Sequence, residues 1–172
     1  DRDNWIESME DVVGISLSCL VYDQRNHIYY ISALTSNHSM PFAMYAYDLS
    51  QRQLVKKIPV PDFIQNAQFD PKSNMIVGVT VDDEFATLDL TNGKFTVYTR
   101  EQMDLESIGF RELGASGIDV NNGFYYVLYS SHTADTHMVK IDYRKVKIVN
   151  VWPWYKNHIG TSIFVPGTTN FF

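Results

Sequence analysis

Two short turns, each introduced by an aspartate, recur in the same order three times along this 172-residue chain. The first turn reads YDQRNH, FDPKSN and IDVNNG, with the aspartates Asp23, Asp70 and Asp119. The second reads YDLSQRQL, LDLTNGKF and IDYRKVKI, with the aspartates Asp48, Asp89 and Asp142. The first set is spaced by 47 and 49 residues, and a period of this size is typical of stacked structural repeats. The sequence therefore predicts three copies of one small unit.

The segments between the turns have the length and composition of β-strands. ISLSCLVY, which starts at Ile15, is apolar on both faces and is expected to be covered on both. QLVKKIPV alternates with lysines, which is typical of an exposed outer strand. Cys19, the only cysteine, lies in the first strand and is expected to be buried and unreactive. Each unit has four strands, which predicts four-stranded antiparallel sheets centred near residues 15–58, 64–98 and 115–151.

The turn residues are predicted to have a local structural role. Asn92-Gly93 and Asn122-Gly123 are interpreted as hairpin turn pairs, because such turns need a positive φ that these residues adopt at little cost. The recurrent aspartates are predicted to accept hydrogen bonds from the backbone amides of their own turns. This role is favoured over catalysis for all six.

The two spacing patterns, D-x-x-x-N/H-x-[IF]-[YV] and [YL]-D-L-x-x-x-x-[LF], resemble the blades of YVTN-, NHL- or WD-like β-propellers. The resemblance extends over residues 14–172 and implies an all-β, β-propeller-like fold. The chain has no Trp-Asp signature and no Gly-Gly pair of the kelch type. The resemblance therefore implies a fold and not a subfamily or a chemistry.

The repeat predicts how the chain divides. Residues 1–13 are expected to be a lead-in segment or linker. In the last unit, Pro166 takes the place of the aspartate. The predicted units are blade 1 at about 14–60, blade 2 at about 61–100, a crossover at 101–113, blade 3 at about 114–154 and a partial blade 4 at about 158–172.

Three blades and the first strand of a fourth are fewer than the four to eight blades with which propellers close. We therefore expect this chain to be a segment of a longer propeller, or its ring to be completed by other chains. The competing prediction is a compact three-blade form in which Thr161–Pro166 folds back on the third blade.

Charge and composition limit the partners. The chain has 14 Lys and Arg against 20 Asp and Glu, a net charge of −6, which argues against nucleic acid or an anionic membrane as a partner. No run approaches the roughly 18 apolar residues of a membrane span, so no membrane insertion is expected. A single cysteine cannot form a disulfide within the chain, which leaves the compartment open, with secretion slightly favoured over the cytoplasm.

The variable loops are predicted to lie on one rim. The second loop of each unit reads TSNHSMP, VDDE or SHTADTH, and these loops leave from the same rim as the crossovers. Loops held by a rigid scaffold are where recognition usually occurs. The candidate binding residues on this rim are Asn37, His38, Asp82, Asp83, Glu84, His132, Asp135 and His137.

The loops SHTADTH and VDDE both lack the ligand pattern of a metal site, so no metal and no cofactor are expected. His132, Asp135 and His137 lack a further fixed ligand, and Asp82–Glu84 lacks the alternating oxygen spacing of a calcium loop. Asn37-His38-Ser39 is a glycosylation sequon, which has meaning only if the chain is secreted.

No phosphate-binding loop, nucleophile elbow or Cys-His pairing is present in the sequence. We therefore expect a non-enzymatic interaction or structural module that presents a variable rim for protein binding. Its expected partners are another protein or further blades from the same or another chain. The alternative is a fragment of a propeller enzyme or propeller lectin whose site is completed by residues outside this chain.

Overall fold

A computed structural model describes residues 11–105, 111–130 and 136–154, except for the side chains of residues 16–19, 111–114, 130 and 154. These ranges contain twelve strands in three four-stranded antiparallel sheets, and they contain no helix. The all-β prediction is therefore confirmed. The strands are β1 (Val12–Asp23), β2 (Ile28–Thr35), β3 (Phe42–Asp48), β4 (Gln53–Val60), β5 (Gln65–Asp70), β6 (Met75–Val79), β7 (Phe85–Asp89), β8 (Lys94–Tyr98), β9 (Arg111–Asp119), β10 (Phe124–Ser130), β11 (Thr136–Asp142) and β12 (Lys147–Trp154).

Each sheet is a meander in which the strands follow one another in chain order. The first strands of the three sheets are neighbours, and β5 lies between β1 and β9. Three four-stranded sheets therefore stand side by side with their first strands innermost, as the blades of a propeller do. The predicted partial blade at 158–172 and residues 1–10 of the lead-in lie outside the described residues.

Two strands begin earlier than the predicted blade boundaries. β1 starts at Val12 because Val12 pairs with Thr35, and the Ser36 amide donates a hydrogen bond to the Asp11 carbonyl oxygen at 2.8 Å. Tyr45 also donates to the Asp11 carboxylate at 2.8 Å, and Lys57 forms an ion pair with it. β9 starts at Arg111, since β10 pairs with it as far as that residue. At β9 the sequence signal was weak because the strand begins with the charged residues Arg111 and Glu112.

β1 is irregular in its middle. Ile15 pairs with Ala33 and Leu20 with Ile31, so five steps along β1 match two along β2, and a bulge separates the pairs. Ile15 is 52% exposed and Leu20 48%. Among the described residues, no blade packs on the outward face of β1, so the expected cover of both faces stays a prediction. The Cys19 side chain lies outside the described residues.

Apolar side chains fill the spaces between neighbouring blades. Complete burial of one such side chain contributes about 1.5–3 kcal/mol, so these two clusters hold the blades together. The cluster between blades 1 and 2 contains Val21, Tyr30, Met44, Ala46, Ile58, Val60, Ile64, Ala67, Ile76, Leu88 and Leu90. The cluster between blades 2 and 3 contains Val77, Val79, Phe85, Met103, Leu105, Tyr125, Val127, Tyr129, Val139, Ile141 and Tyr143.

A second bulge, in β5, links blade 2 to blade 3. Asn66 has a positive φ of 47°, and its carbonyl oxygen accepts hydrogen bonds from the Tyr125 hydroxyl at 3.0 Å and the Ser116 hydroxyl at 2.9 Å. Gly78 lies opposite the bulge, where a Cβ would come within 2.4 Å of Ile64 Cγ2 and 2.6 Å of the Gln65 carbonyl oxygen. The glycine in the strand MIVGV is therefore required for this close approach.

Candidate functional site

The turns that join the first and second strands, and the third and fourth strands, of each blade form one rim, here called the turn rim. Each begins with an aspartate whose carboxylate accepts a hydrogen bond from the backbone amide two residues later, at 2.7–3.1 Å. The predicted hydrogen bonding is thus confirmed in all six turns. The aspartates are Asp23, Asp48, Asp70, Asp89, Asp119 and Asp142.

Each of these turns also ends in the same backbone conformation. The residue four positions after the aspartate has a positive φ between 53° and 76° in every turn. In the Asn-Gly pairs, only Gly93 and Gly123 adopt it. The predicted positive φ is confirmed for the glycine of each pair, and each pair is the end of a hairpin loop that starts at the aspartate. The six residues are His27, Arg52, Asn74, Gly93, Gly123 and Val146.

Asp70 is the most enclosed of the six aspartates. It is fully buried and accepts hydrogen bonds from the Lys72 amide at 2.8 Å, the Ser73 hydroxyl at 2.7 Å and the Tyr143 hydroxyl at 2.8 Å. Burial raises the pKa of its carboxyl, but these hydrogen bonds more than offset that effect, and the pKa is lowered. Because Tyr143 belongs to blade 3, Asp70 joins two blades and has a structural role.

The loops that join the second and third strands, together with the crossovers between blades, form the opposite rim, here called the loop rim. In its first loop, the Thr35 amide donates to the Pro41 carbonyl oxygen at 2.6 Å, and the Thr35 hydroxyl donates to that of Met40 at 3.1 Å. These bonds close the base of the loop. Asn37 and His38 are exposed above it, and Met40 is 48% exposed.

The second loop of this rim is short and tightly held. The hydroxyl of Thr80 accepts hydrogen bonds from the amides of Asp82 and Glu84, both at 3.3 Å. Asp83 has a φ of 60°, and its carbonyl oxygen accepts a hydrogen bond from the Tyr129 hydroxyl of blade 3 at 3.3 Å. The loop is therefore fixed both to its own blade and to the next one.

The carboxylates of Asp82 and Glu84 in this loop differ from those of the turn rim in their hydrogen bonding. No described residue donates a hydrogen bond to the side chain of Asp82 or Glu84 or forms an ion pair with it. Val81, beside them, is 48% exposed. The loop thus presents a combination of negative charge and apolar surface to solvent.

Asp62, from the crossover between blades 1 and 2, adds another carboxylate beside the loop Val81–Glu84. Burial raises the pKa of Asp62, and the nearby Asp82 raises it further. The amides of Phe63 (2.6 Å from the carboxylate) and Val81 lower it, without reversing the direction. The four residues Asp62, Asp82, Asp83 and Glu84 are here called the acidic group.

Other predicted rim residues are not brought together by the described structure. His132 and Asp135 lie outside the described residues. His137 pairs with Tyr129 in the sheet, and its Nδ1 atom is buried with no hydrogen-bond partner among the described residues. Within the described ranges, no three His, Cys, Asp or Glu side chains are grouped as metal ligands. The same ranges contain no helix of the length and apolarity that a membrane span requires.

Sequence reasoning missed Asp62, Met40 and Val81. A crossover and the second loop of the following blade leave from the same rim, so the topology could have indicated that Asp62 lies beside the VDDE loop. The sequence did not indicate that Met40 and Val81 are exposed, because isolated apolar residues in loops can be either buried or exposed.

No protein-family model and no curated protein matches the sequence. The chain is similar to solved structures, among them TolB from Acinetobacter baumannii, with a TM-score of 0.58 and 12% identity over 88% of this chain and 35% of that one. The β-propeller domain of the Trilobed protease from Pyrococcus furiosus has a TM-score of 0.55 and 7% identity over 84% of this chain and 44% of that one. The WD40 domain of Toxoplasma gondii coronin has a TM-score of 0.53 and 12% identity over 88% of this chain and 35% of that one.

These similarities show the fold alone. The chain consists of β-propeller blades, as the turn pattern predicted. It spans between 35% and 44% of the length of the three chains compared above.

Proposed function

We propose that this chain is a non-enzymatic interaction module, part of a larger propeller or assembly, that binds a protein partner at the loop rim. The observation that supports this most is the contrast between the carboxylates of the turn rim and those of Asp82 and Glu84. Those of the turn rim accept hydrogen bonds from their own turns, whereas Asp82 and Glu84 accept none from any described residue. A rigid loop with unused acceptors is a suitable platform for recognition.

The chemistry of the loop defines the partner. Asp62 and Asp82 repel one another, which a cationic side chain placed between them would relieve. Exposed Val81 would contribute apolar contact in the same place. The partner we propose is therefore a protein segment that carries Lys or Arg next to apolar residues.

The exposed face of β1 supports completion by further blades. Ile15, Leu20 and Tyr22 are 40–52% exposed along this strand, and Tyr22 stacks on Tyr29 with their ring centroids 4.7 Å apart. Exposed apolar side chains along an inner strand are what an interface with another blade would cover. Leu20→Asp is expected to reduce binding of a hydrophobic dye by the 172-residue chain, whereas Val55→Asp on the outer strand β4 is not. Equal reductions would contradict this assignment.

The rim is tested with a fluorescein-labelled peptide in which lysine and leucine alternate. The variant Asp82→Asn/Glu84→Gln is expected to bind this peptide about tenfold more weakly, a loss of about 1.4 kcal/mol. Added salt is expected to weaken binding to the unsubstituted chain, since exposed charges are screened beyond about 8–10 Å at physiological ionic strength.

The matched control is Asp89→Asn/Asp119→Asn, which makes the same change of net charge on the turn rim. Asparagine retains an oxygen that can accept the turn hydrogen bonds, so this variant is expected to fold. Equal binding by both double variants would show that net charge alone attracts the peptide and would contradict the proposal. Absence of binding by the unsubstituted chain would contradict it as well.

A further inference from the structure

The chain contains one Asn-x-Ser/Thr sequence, Asn37-His38-Ser39, in the first loop of the loop rim. The residue between the two is not proline, and the tripeptide lies in a loop of exposed residues. These are the sequence and surface conditions for an N-glycosylation acceptor. We propose that Asn37 is the attachment site of an N-linked glycan.

The local geometry leaves the reacting nitrogen available. Asn37 Oδ1 accepts a hydrogen bond from the Ser39 amide at 3.0 Å, which bends the tripeptide into an Asx turn. Asn37 Nδ2 donates to no described group. Replacement of one of its hydrogens by a sugar therefore breaks no described contact.

Four of the five asparagines in the turns of the turn rim are in a different position. Their Nδ2 atoms donate hydrogen bonds at 2.6–3.2 Å to side chains of their own or the neighbouring turn, so a glycan there would disrupt a turn. These residues are Asn26, Asn74, Asn92 and Asn122. Asn37 thus differs from them both in the sequon and in the freedom of its amide nitrogen.

The loop also tolerates the added mass in the folded chain. Its base is closed by the hydrogen bonds between Thr35 and the carbonyl oxygens of Met40 and Pro41, so the tripeptide projects from the rim without contributing to a core cluster. A glycan that is attached before folding is then accommodated in solvent when the blade forms.

The transfer uses a polyprenyl-diphosphate-linked oligosaccharide as the donor. A bond forms between Asn37 Nδ2 and the anomeric carbon of the first sugar, and the bond from that carbon to the phosphate oxygen breaks. The diphosphate leaves with the electron pair, and the amide proton passes to a base of the transferase. No oxidant or reductant is required.

The test is cell-free translation of the 172-residue chain behind a signal peptide in the presence of microsomes. The protease-protected product is expected to carry a single glycan that a peptide:N-glycosidase removes, with conversion of Asn37 to aspartate. Asn37→Gln and Ser39→Ala are expected to abolish the glycan, and Ser39→Thr is expected to retain it.

Asn122→Gln is the matched control, because it removes an asparagine that is not in a sequon and is expected to leave the glycan unchanged. A protease-protected chain without a glycan would overturn the proposal. A glycan that persists in Asn37→Gln would overturn it too.

Discussion

The aspartates of the turn rim and two carboxylates of the loop rim, those of Asp82 and Glu84, are in opposite circumstances. On the turn rim, each aspartate accepts hydrogen bonds from backbone amides that would otherwise lack partners. On the loop rim, the Thr80 hydroxyl accepts the amide hydrogen bonds, and the carboxylates of Asp82 and Glu84 accept none from the described residues. The difference shows that the supply of local amide donors decides whether a carboxylate stabilises a turn or stays available to a partner.

The pKa directions of Asp89 and Asp48 on the turn rim differ from that of Asp62 on the loop rim. The pKa of Asp89 is lowered, chiefly by the amide of Thr91, and that of Asp48 is lowered, chiefly by the hydroxyl of Ser50. The pKa of Asp62 on the loop rim is raised by burial and by Asp82. Lowered pKa values contribute stability above the ordinary aspartate value of about 3.8, and this stability is lost as the pH falls through the folded-state values. A raised pKa, as at Asp62, lowers the stability of the folded chain above the ordinary aspartate value, and this loss disappears as the pH falls.

The largest expected effect is at Asp70. Asp70→Ala removes a fully buried carboxylate that accepts three hydrogen bonds. The Tyr143 hydroxyl then loses the acceptor of its hydrogen bond. We expect the free energy of unfolding to fall by about 3 kcal/mol, measured by urea denaturation. Asp82→Ala on the loop rim is expected to change it by less than about 0.5 kcal/mol. Losses of similar size in the two variants would remove the distinction between the rims.

A smaller effect is expected at Gly93. This residue has a φ of 74°, and in Gly93→Ala the new Cβ would lie 3.4 Å from Ile58 Cγ2, so backbone conformation is the main cost. A left-handed conformation costs a residue with a Cβ about 1–2 kcal/mol. We therefore expect Gly93→Ala to have a lower melting temperature than the unsubstituted chain. Val81→Ala on the loop rim is the control, with an expected change of less than about 0.5 kcal/mol. An unchanged melting temperature for Gly93→Ala would contradict the common turn conformation.

The smallest effect is expected at Asp62 and has the opposite sign. Asp62→Asn removes a carboxylate that is disfavoured in the folded chain, and we expect a gain of less than about 1 kcal/mol at pH 7 after allowance for solvent screening. Because the pKa of Asp62 is raised, the advantage of the variant should vanish as the pH falls through that value towards the ordinary range near 3.8. Thermal unfolding from pH 3 to 7 measures it. A variant less stable than the parent at pH 7 would contradict the raised pKa.

The turn rim could be predicted from the sequence because its chemistry is local. An aspartate, the amide two residues later and the left-handed residue four positions later all lie within five residues of one another. The acidic group could be predicted only in part, since the approach of Asp62 to Val81 depends on where the crossover lies in space. The bulge in β1 and the exposure of Leu20 depend on which neighbour packs against that strand, and no periodicity within ISLSCLVY indicates it.

A turn that completes its own hydrogen bonding can be copied along with its hairpin. When a gene segment encoding one blade is duplicated, the new turn carries the aspartate, the amides and the left-handed residue that it needs. No compensating substitution is then required in the neighbouring hairpin. Asp70 is an exception, because its hydrogen bond to Tyr143 requires two successive blades to change together. The order of blades 2 and 3 is therefore more constrained in descent than the turns themselves.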